Sequence, residues 1–262
     1  MARAVGIDIS KYQVDFDIDN AKEPVDFIWQ RTSYGLKTDE KFDSLWPGVS
    51  EFKNRVGPIG AYHYFSTAVP WKEQAQKFLT LIDGRGYGKY SLDYEHYYNN
   101  LNKQSAVAAG NWVDFVQQKT GVEVVLYCGI YHLRDHLNPF VTWQNNRNLW
   151  ISRWPGGTVN VHEDDPDLSL NDEEVRPEGD WKFWQYEVSE EGDRYGVDSR
   201  KIDLNVFNGT IDELRDYFGW EQEPQPAPTL EPGPDELRQA RIDALQWVVD
   251  TARDRITQLE GS

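Results

Sequence analysis

Eight short apolar or alternating runs recur between residues 4 and 207, and they restrict the possible folds of this chain more than any other feature. Polar or turn-forming segments separate the runs, a pattern typical of β-strands. The eight runs cover residues 4–9, 26–31, 58–65, 90–95, 122–129, 148–153, 181–186 and 201–207. Eight strands are enough to close a barrel.

Helical patterns separate the third, fourth and fifth runs. Residues 71–83 carry one apolar face, made of Ala75, Phe78, Leu79 and Ile82. Residues 103–118 carry another, made of Val107, Ala108, Trp112 and Phe115. This alternation predicts parallel βαβ units, whereas after about residue 150 only loops connect the runs. The sequence therefore predicts an α/β fold, an incomplete TIM-like (β/α)5β3 barrel.

The composition changes sharply at residue 221. Residues 221–234 contain five prolines and no apolar period, which predicts an extended Pro-rich linker. Residues 235–262 then predict a short amphipathic C-terminal helix, whose apolar seam consists of Ile242, Leu245, Val249, Ala252, Ile256 and Leu259. Such a helix could dock on its own domain, self-associate as a coiled coil, or belong to a larger module. The main domain is expected to span residues 1–220.

Charge and composition exclude several classes of function. The formal net charge of −17 argues against nucleic acid as a partner, because nucleic-acid affinity depends on Lys and Arg. The single cysteine, Cys128, lies in an apolar run and has no partner for an intramolecular disulfide. The N-terminus has no apolar segment of the signal-peptide type, and no segment is long and apolar enough to span a membrane. We expect synthesis in the cytoplasm.

Acidic residues stand at the ends of three predicted strands. In SLDYE, strand pleating sends Asp93 and Glu95 to the same face, where mutual repulsion favours a protonated carboxyl, as a general acid requires. Asp8 and Asp203 lie in the first and last strands, which are neighbours if the barrel closes. Each Asp alone could be a structural acceptor, and together the four acids could hold magnesium or calcium. We favour a glycosidase without metal or cofactor, because it also accounts for the abundant aromatic residues.

Ten motifs occur in the order and approximate spacing of a known family. They are GIDISKYQ, FIWQRTSYG, DEKF, GAYHYFS, QAQKFL, LDYE, VVLYCG, LWISRW, FWQY and VDSRKIDLNVF. Through them the chain resembles the family 25 glycoside hydrolases, lysozymes of the Chalaropsis type found in phage endolysins and bacterial autolysins. The resemblance runs from about Val5 to Phe218 and implies that residues 1–220 form the catalytic domain.

The resemblance also implies a reaction and a set of site residues. The reaction is hydrolysis, with retention, of the β-1,4 bond between N-acetylmuramic acid and N-acetylglucosamine in bacterial peptidoglycan. Glu95 is then the general acid and later the general base, and Asp93, Asp8 and Asp203 shape the charge around it. Either Asp93 or Asp203 orients the acetamido group of the sugar as an internal nucleophile, or attacks directly.

Four aromatic residues are candidates for sugar binding, although each could equally fill the core. They are Tyr62, Tyr64, Tyr127 and Trp184. Three other functions stay open: a chitinase-like retaining hexosaminidase, a catalytically weak module that binds cell-wall sugars, and a structural oligomer held by residues 235–262. The missing signal peptide favours a phage lysin that reaches the wall after release.

Overall fold

The computed structural model describes residues 2–95, 100–155, 159–171, 173–177 and 180–221. Within them, the main sheet has nine strands. One is a two-residue strand, Lys37–Thr38, and each of the eight longer strands overlaps a run identified in the sequence. The eight longer strands are β1 (Val5–Ile9), β2 (Phe27–Tyr34), β3 (Ile59–Tyr64), β4 (Lys89–Asp93), β5 (Val124–Gly129), β6 (Leu149–Ser152), β7 (Phe183–Ser189) and β8 (Ile202–Phe207).

The eight strands close into a barrel. From β1 to β7 each strand pairs in parallel with the next one along the chain, whereas β8 lies antiparallel between β7 and β1. The end of the barrel at which the parallel strands terminate is called the C-terminal rim below. Because β8 runs in the opposite direction, its first residues lie at this rim. The predicted TIM-like barrel is confirmed.

Four helices are longer than two turns: α1 (Phe42–Arg55), α2 (Trp71–Ile82), α3 (Lys103–Thr120) and α4 (Ile211–Phe218). Helix α3 begins at a capping box formed by Asn102 and Ser105, and it ends at Gly121, whose φ of 70° suits a residue without a side chain. The two helices are confirmed, and so is the apolar face predicted at α2. The face predicted at α3 is wrong except for Trp112: Val107 is exposed, and the buried side at helical spacing is formed by Ala106, Ala109, Trp112, Val113 and Val116. Helices α1 and α4 were not predicted, and only a 3₁₀ turn at Ile18–Asn20 lies between β1 and β2.

Strand pleating sorts the side chains into two cores. The outward-facing side chains of the strands pack under the helices, as Ile7, Leu92 and Tyr94 do. The inward-facing side chains form an aromatic cluster inside the barrel, in which Trp29 stacks on Trp150 with ring centroids 5.0 Å apart. Other members of this cluster are Phe27, Tyr62, Val125, Tyr127, Phe183 and Phe207. The barrel interior is therefore packed below the C-terminal rim and contains no continuous pore.

The predicted linker and the C-terminal helix lie outside the described residues. The described residues belong to one compact unit, Met1–Gln222. Within the described residues, no helix is long and apolar enough to cross a membrane.

Candidate active site

A cavity of about 440 Å³ opens at the C-terminal rim of the barrel. Its wall combines carboxyl groups, tyrosines and three basic side chains, a composition that suits a polar ligand with apolar faces, such as a sugar. The lining residues are Ser10, Lys11, Tyr12, Arg31, Tyr34, Lys37, Thr38, Asp39, Glu40, Tyr62, Tyr64, Asp93, Glu95, Tyr127 and Asp203.

The structure brings the four predicted acids to this rim. Asp93 is the last residue of β4, and Glu95 follows it on the same side of the chain. Asp8 on β1 stands directly opposite Asp203 on β8 in the antiparallel register. Asp93, Glu95 and Asp203 line the cavity, whereas Asp8 is buried beside it. Closure of the barrel therefore assembles acids that are as far as 195 residues apart in the sequence (203 − 8).

Two amide side chains hold Asp8. Asn205 Nδ2 and Gln185 Nε2 each donate a hydrogen bond of 2.9 Å to the same oxygen, Oδ2 of Asp8. The hydroxyl of Tyr127 donates to Gln185 Oε1 at 3.0 Å, and the indole N–H of Trp150 donates to Asn205 Oδ1 at 2.7 Å. Sequence reasoning missed both amides, although strand alternation from Asp203 to Asn205 was a usable signal.

Burial raises the pKa of all four acids. It raises the pKa of Asp8 to about 6, that of Glu95 to about 7 and that of Asp203 to about 8. Burial, reinforced by the negative charge of Glu95, raises the pKa of Asp93 well above its usual range. One oxygen of Asp93 is buried and has no hydrogen-bond partner among the described residues. Burial thus favours the protonated form of each acid, and the raised pKa of Asp8 stays below those of Glu95 and Asp203.

Arg31 is the cation that partly offsets these acids. It points inward from β2, and its guanidinium Nε lies 2.6 Å from Oδ2 of the buried Asp39. Its positive charge lowers the pKa values of Asp8, Asp93 and Asp203, acting against the larger effect of burial. The sequence analysis did not single out Arg31, although Phe27, Trp29 and Arg31 alternate along one face of β2.

The predicted aromatic residues divide into two groups. Tyr62, Tyr64 and Tyr127 line the cavity. Trp184 does not line it: its side chain is 1% exposed, packs outside the barrel and donates from Nε1 to the carbonyl of Arg153 at 2.6 Å. The physical reason is alternation along β7, where Phe183 and Gln185 point inward and Trp184 therefore points outward. The position of Trp184 does not support a role in sugar binding.

Two other aromatic residues lie at the mouth of the cavity. Tyr34 lines it, and Tyr12, just after β1, is 68% exposed. The guanidinium of Arg31 lies 5.5 Å from the centroid of the Tyr12 ring. An exposed ring beside a polar cavity is available for stacking on a sugar, so Tyr12 is a better candidate than Trp184.

The histidines give no indication of a metal centre. His63 is buried, where Nδ1 lies 2.8 Å from Ser33 Oγ and Nε2 lies 3.0 Å from Gln74 Oε1. Burial lowers the pKa of His63 to about 4, so it is a neutral structural residue. His96 lies outside the described residues. Among the residues that are described, no group of three or more His, Cys, Asp or Glu side chains is arranged to hold a metal ion.

A barrel with clustered carboxyls and tyrosines at its C-terminal rim defines a class of sugar-cleaving enzymes, the barrel glycoside hydrolases. The family model described as glycosyl hydrolases family 25 matches residues 7–194, and the chain belongs to this family. The prediction made from the motifs is confirmed.

Known proteins resemble this chain in sequence and in fold. The uncharacterized protein YegX of Escherichia coli K12 is 28% identical over 221 residues, which cover 81% of this chain and 72% of YegX. The family 25 glycosyl hydrolase of Bacillus anthracis has a similar structure, with a TM-score of 0.62 and 24% identity over 82% of this chain and 94% of its own. The catalytic domain of the endolysin from Listeria monocytogenes bacteriophage P40 is also similar in structure, with a TM-score of 0.61 and 23% identity over 83% of this chain and 98% of the endolysin domain.

Proposed function

We propose that this enzyme is an N-acetylmuramidase that hydrolyses the β-1,4 bond between N-acetylmuramic acid and N-acetylglucosamine in bacterial peptidoglycan. The observation that carries the proposal is Glu95, a carboxyl on the cavity wall whose pKa burial raises to about 7. At neutral pH a substantial fraction of such a group carries the proton that a general acid must supply. Membership of family 25 supports the same reaction.

The chemistry assigned to Glu95 has two steps. First, Glu95 gives its proton to the glycosidic oxygen while a nucleophile, the acetamido oxygen of the sugar or a carboxylate, bonds to the anomeric carbon and the bond to the glycosidic oxygen breaks. The carboxylate of Glu95 then takes a proton from the water molecule that attacks the anomeric carbon and displaces this nucleophile. Two successive displacements at this carbon give net retention of configuration. The anomeric form of the first product, followed by ¹H NMR, tests retention directly.

Asp93 and Asp203 are the candidates for orienting the acetamido group of the sugar or for attacking the anomeric carbon directly. Burial raises the pKa of both carboxyls, and a protonated carboxyl is a poor nucleophile. This supports the route in which the acetamido oxygen of the sugar attacks the anomeric carbon and one of these residues orients the acetamido group. Tyr62, Tyr64 and Tyr127 form the wall against which we place the sugar ring.

The test is the identity of the reducing ends released from purified peptidoglycan. Borohydride reduction followed by mass spectrometry should yield muramitol ends, and Glu95→Gln should reduce their rate of release by about a hundredfold or more. The matched control is Glu73→Gln at an exposed position on α2, which should release ends at the normal rate. Glucosaminitol ends would assign the other glycosidic bond, and cleavage of chitin oligomers would favour a chitinase-like enzyme. No new ends from any wall would favour a sugar-binding module.

The biological setting is also a proposal. The similarity to a phage endolysin domain supports a role in host lysis, in which the protein acts on the wall after its release from the cytoplasm. Self-association through residues 235–262 stays a prediction. Size-exclusion chromatography with and without residues 221–262 tests it.

A further inference from the structure

A chain of hydrogen bonds crosses the floor of the cavity, and Trp150 fixes its direction at one end. The indole N–H can only donate, and it donates to Oδ1 of Asn205. The amide of Asn205 can therefore have only one orientation, with Nδ2 directed at Asp8. The assignment of oxygen and nitrogen in this amide thus follows from the chemistry of its neighbour. Asp8 must accept the bond from Asn205.

On the other side of Asp8, the hydrogen bonds run from Tyr127 through Gln185 towards Asp8. Gln185 Nε2 donates to the same oxygen of Asp8, so Gln185 Oε1 faces away from Asp8 and accepts the hydroxyl proton of Tyr127. Strand register supports this arrangement, because Gln185 pairs directly with Asn205 and the register shifts immediately after it. A β-bulge of this kind redirects the strand beside a site. Two donors thus converge on one oxygen of Asp8, which favours its ionised form.

This direction determines what Tyr127 can do for Glu95. The two side chains are hydrogen-bonded to each other, and this bond lowers the pKa of Glu95 to the extent that the phenol donates its proton to the carboxylate. Tyr127 has a single proton, and Gln185 Oε1, 3.0 Å from the phenol oxygen, competes with Glu95 for it. While the proton is on the side of Gln185, the phenol oxygen can only accept from Glu95, and that bond forms when Glu95 carries a proton.

We propose that Gln185 is a positioning residue: by fixing the direction of the hydrogen bonds between Asp8 and Tyr127, it keeps the negative charge on Asp8 and the proton on Glu95. The inference rests on the proposed function in one respect only: the proposed function makes the proton on Glu95 the proton that is given to the glycosidic oxygen. The hydrogen-bond arrangement itself is independent of the substrate.

Other charges also act on Glu95. The titratable groups whose electrostatic interactions connect them to this carboxyl are Asp8, Asp93, Asp203, Tyr64, Tyr127 and Cys128. Arg31 acts on three of these acids, Asp8, Asp93 and Asp203. Loss of Gln185 changes two of these influences at once, because it releases the proton of Tyr127 and removes a donor from Asp8. The experiment must separate these two effects.

The test is a titration of the Glu95 carboxyl that needs no turnover. With ¹³C-labelled glutamate, the NMR signal of Glu95 is identified by its loss in Glu95→Gln. In Gln185→Met the freed phenol proton turns to Glu95, and the midpoint should move to lower pH by about one unit, the effect of one hydrogen bond to a charged group. The matched control is Asn205→Ala, which removes a donor from Asp8 but leaves Gln185 with Tyr127. It should move the midpoint less.

A double-mutant comparison completes the test. In a Tyr127→Phe background, Gln185→Met should move the midpoint by no more than Asn205→Ala does. Gln185→Glu retains an acceptor for the proton of Tyr127, so it should not lower the midpoint of Glu95. This variant replaces Gln185→Met in the test if circular dichroism shows that Gln185→Met is unfolded. Equal shifts for Gln185→Met and Asn205→Ala, an undiminished shift without the phenol, or a lowered midpoint in Gln185→Glu would each overturn the inference. The predicted shifts in a protein that shows no muramidase activity would leave the inference standing and contradict the proposed function only, whereas an unchanged midpoint in a folded Gln185→Met would overturn the inference.

Discussion

Replacing Asp203 by asparagine is expected to stabilise the enzyme while it impairs catalysis. Burial, together with the negative charges of Asp8 and Glu95, raises the pKa of Asp203 from 3.8 to about 8. An acid whose pKa is higher in the folded chain than in the unfolded chain binds more protons when folded. The free energy of unfolding therefore falls as the pH rises from 3.8 towards 8. Asparagine has a similar shape and does not titrate, so it removes this loss.

The magnitude follows from the two pKa values. Between them, one additional bound proton costs ~1.4 kcal/mol per pH unit, which gives at most ~4 kcal/mol between pH 4 and pH 7. Because Asp203 is partly exposed and shares the effect with Asp8, we expect about half, ~2 kcal/mol at pH 7. For a domain of this size, that gain corresponds to an increase in Tm of about 4–8 °C.

The assay is thermal unfolding of the wild type and Asp203→Asn at pH 4 and pH 7, followed by circular dichroism. The gain should be present at pH 7 and small at pH 4, because pH 4 lies just above the unfolded pKa of 3.8 and little of the loss has accumulated there. Asp198→Asn, at an exposed turn position, is the control and should give no comparable gain. An equal gain at both pH values, or no gain at pH 7, would refute the argument that the buried charge destabilises the fold.

Two further predictions concern packing. Trp184→Phe should lower the free energy of unfolding by ~1 kcal/mol, because the hydrogen bond to Arg153 is lost, and should leave KM for peptidoglycan unchanged. Tyr64→Ala on the cavity wall should instead raise KM by about three- to tenfold. A raised KM in Trp184→Phe would restore the predicted role of Trp184 in sugar binding. Gly60→Ala should destabilise the barrel by ~1–3 kcal/mol, because the new Cβ would lie 2.3 Å from Cε3 of Trp29; an unchanged Tm in calorimetry would contradict this.

Strand positions were predictable because the strands appear in the sequence as short apolar or alternating runs between turn-forming segments. Helix α1 was missed for a local reason. Pro47 and Gly48 lie in its middle, and proline removes a backbone hydrogen bond that an interior position would normally form. The helix persists because Phe42, Leu45, Val49 and Phe52 bury one face against the barrel. Tertiary packing of this kind overrides the local preference, and it cannot be deduced from the segment alone.

The site was predictable in its acids but not in the residues that control them. Alternation and barrel closure were sufficient to place Asp8, Asp93, Glu95 and Asp203 at one rim. The same alternation contradicts a cavity position for Trp184. Gln185 has no signature of its own, because its importance depends on a register shift in β7 and on the donor-only chemistry of Trp150 on the neighbouring strand β6.

The aromatic filling of the barrel affects the four acids as well as the stability of the fold. Burial is the first cause of the raised pKa at each of the four acids. That burial exists because Trp29, Trp150 and Phe183 occupy the space beneath the rim and exclude water from it. A smaller side chain at Trp29 would admit water, lower the pKa of Glu95 and thereby reduce the protonated fraction at neutral pH. The aromatic residues that stabilise the fold thus also determine how far the acids at the rim are protonated, and the proposed hydrolysis requires a protonated Glu95.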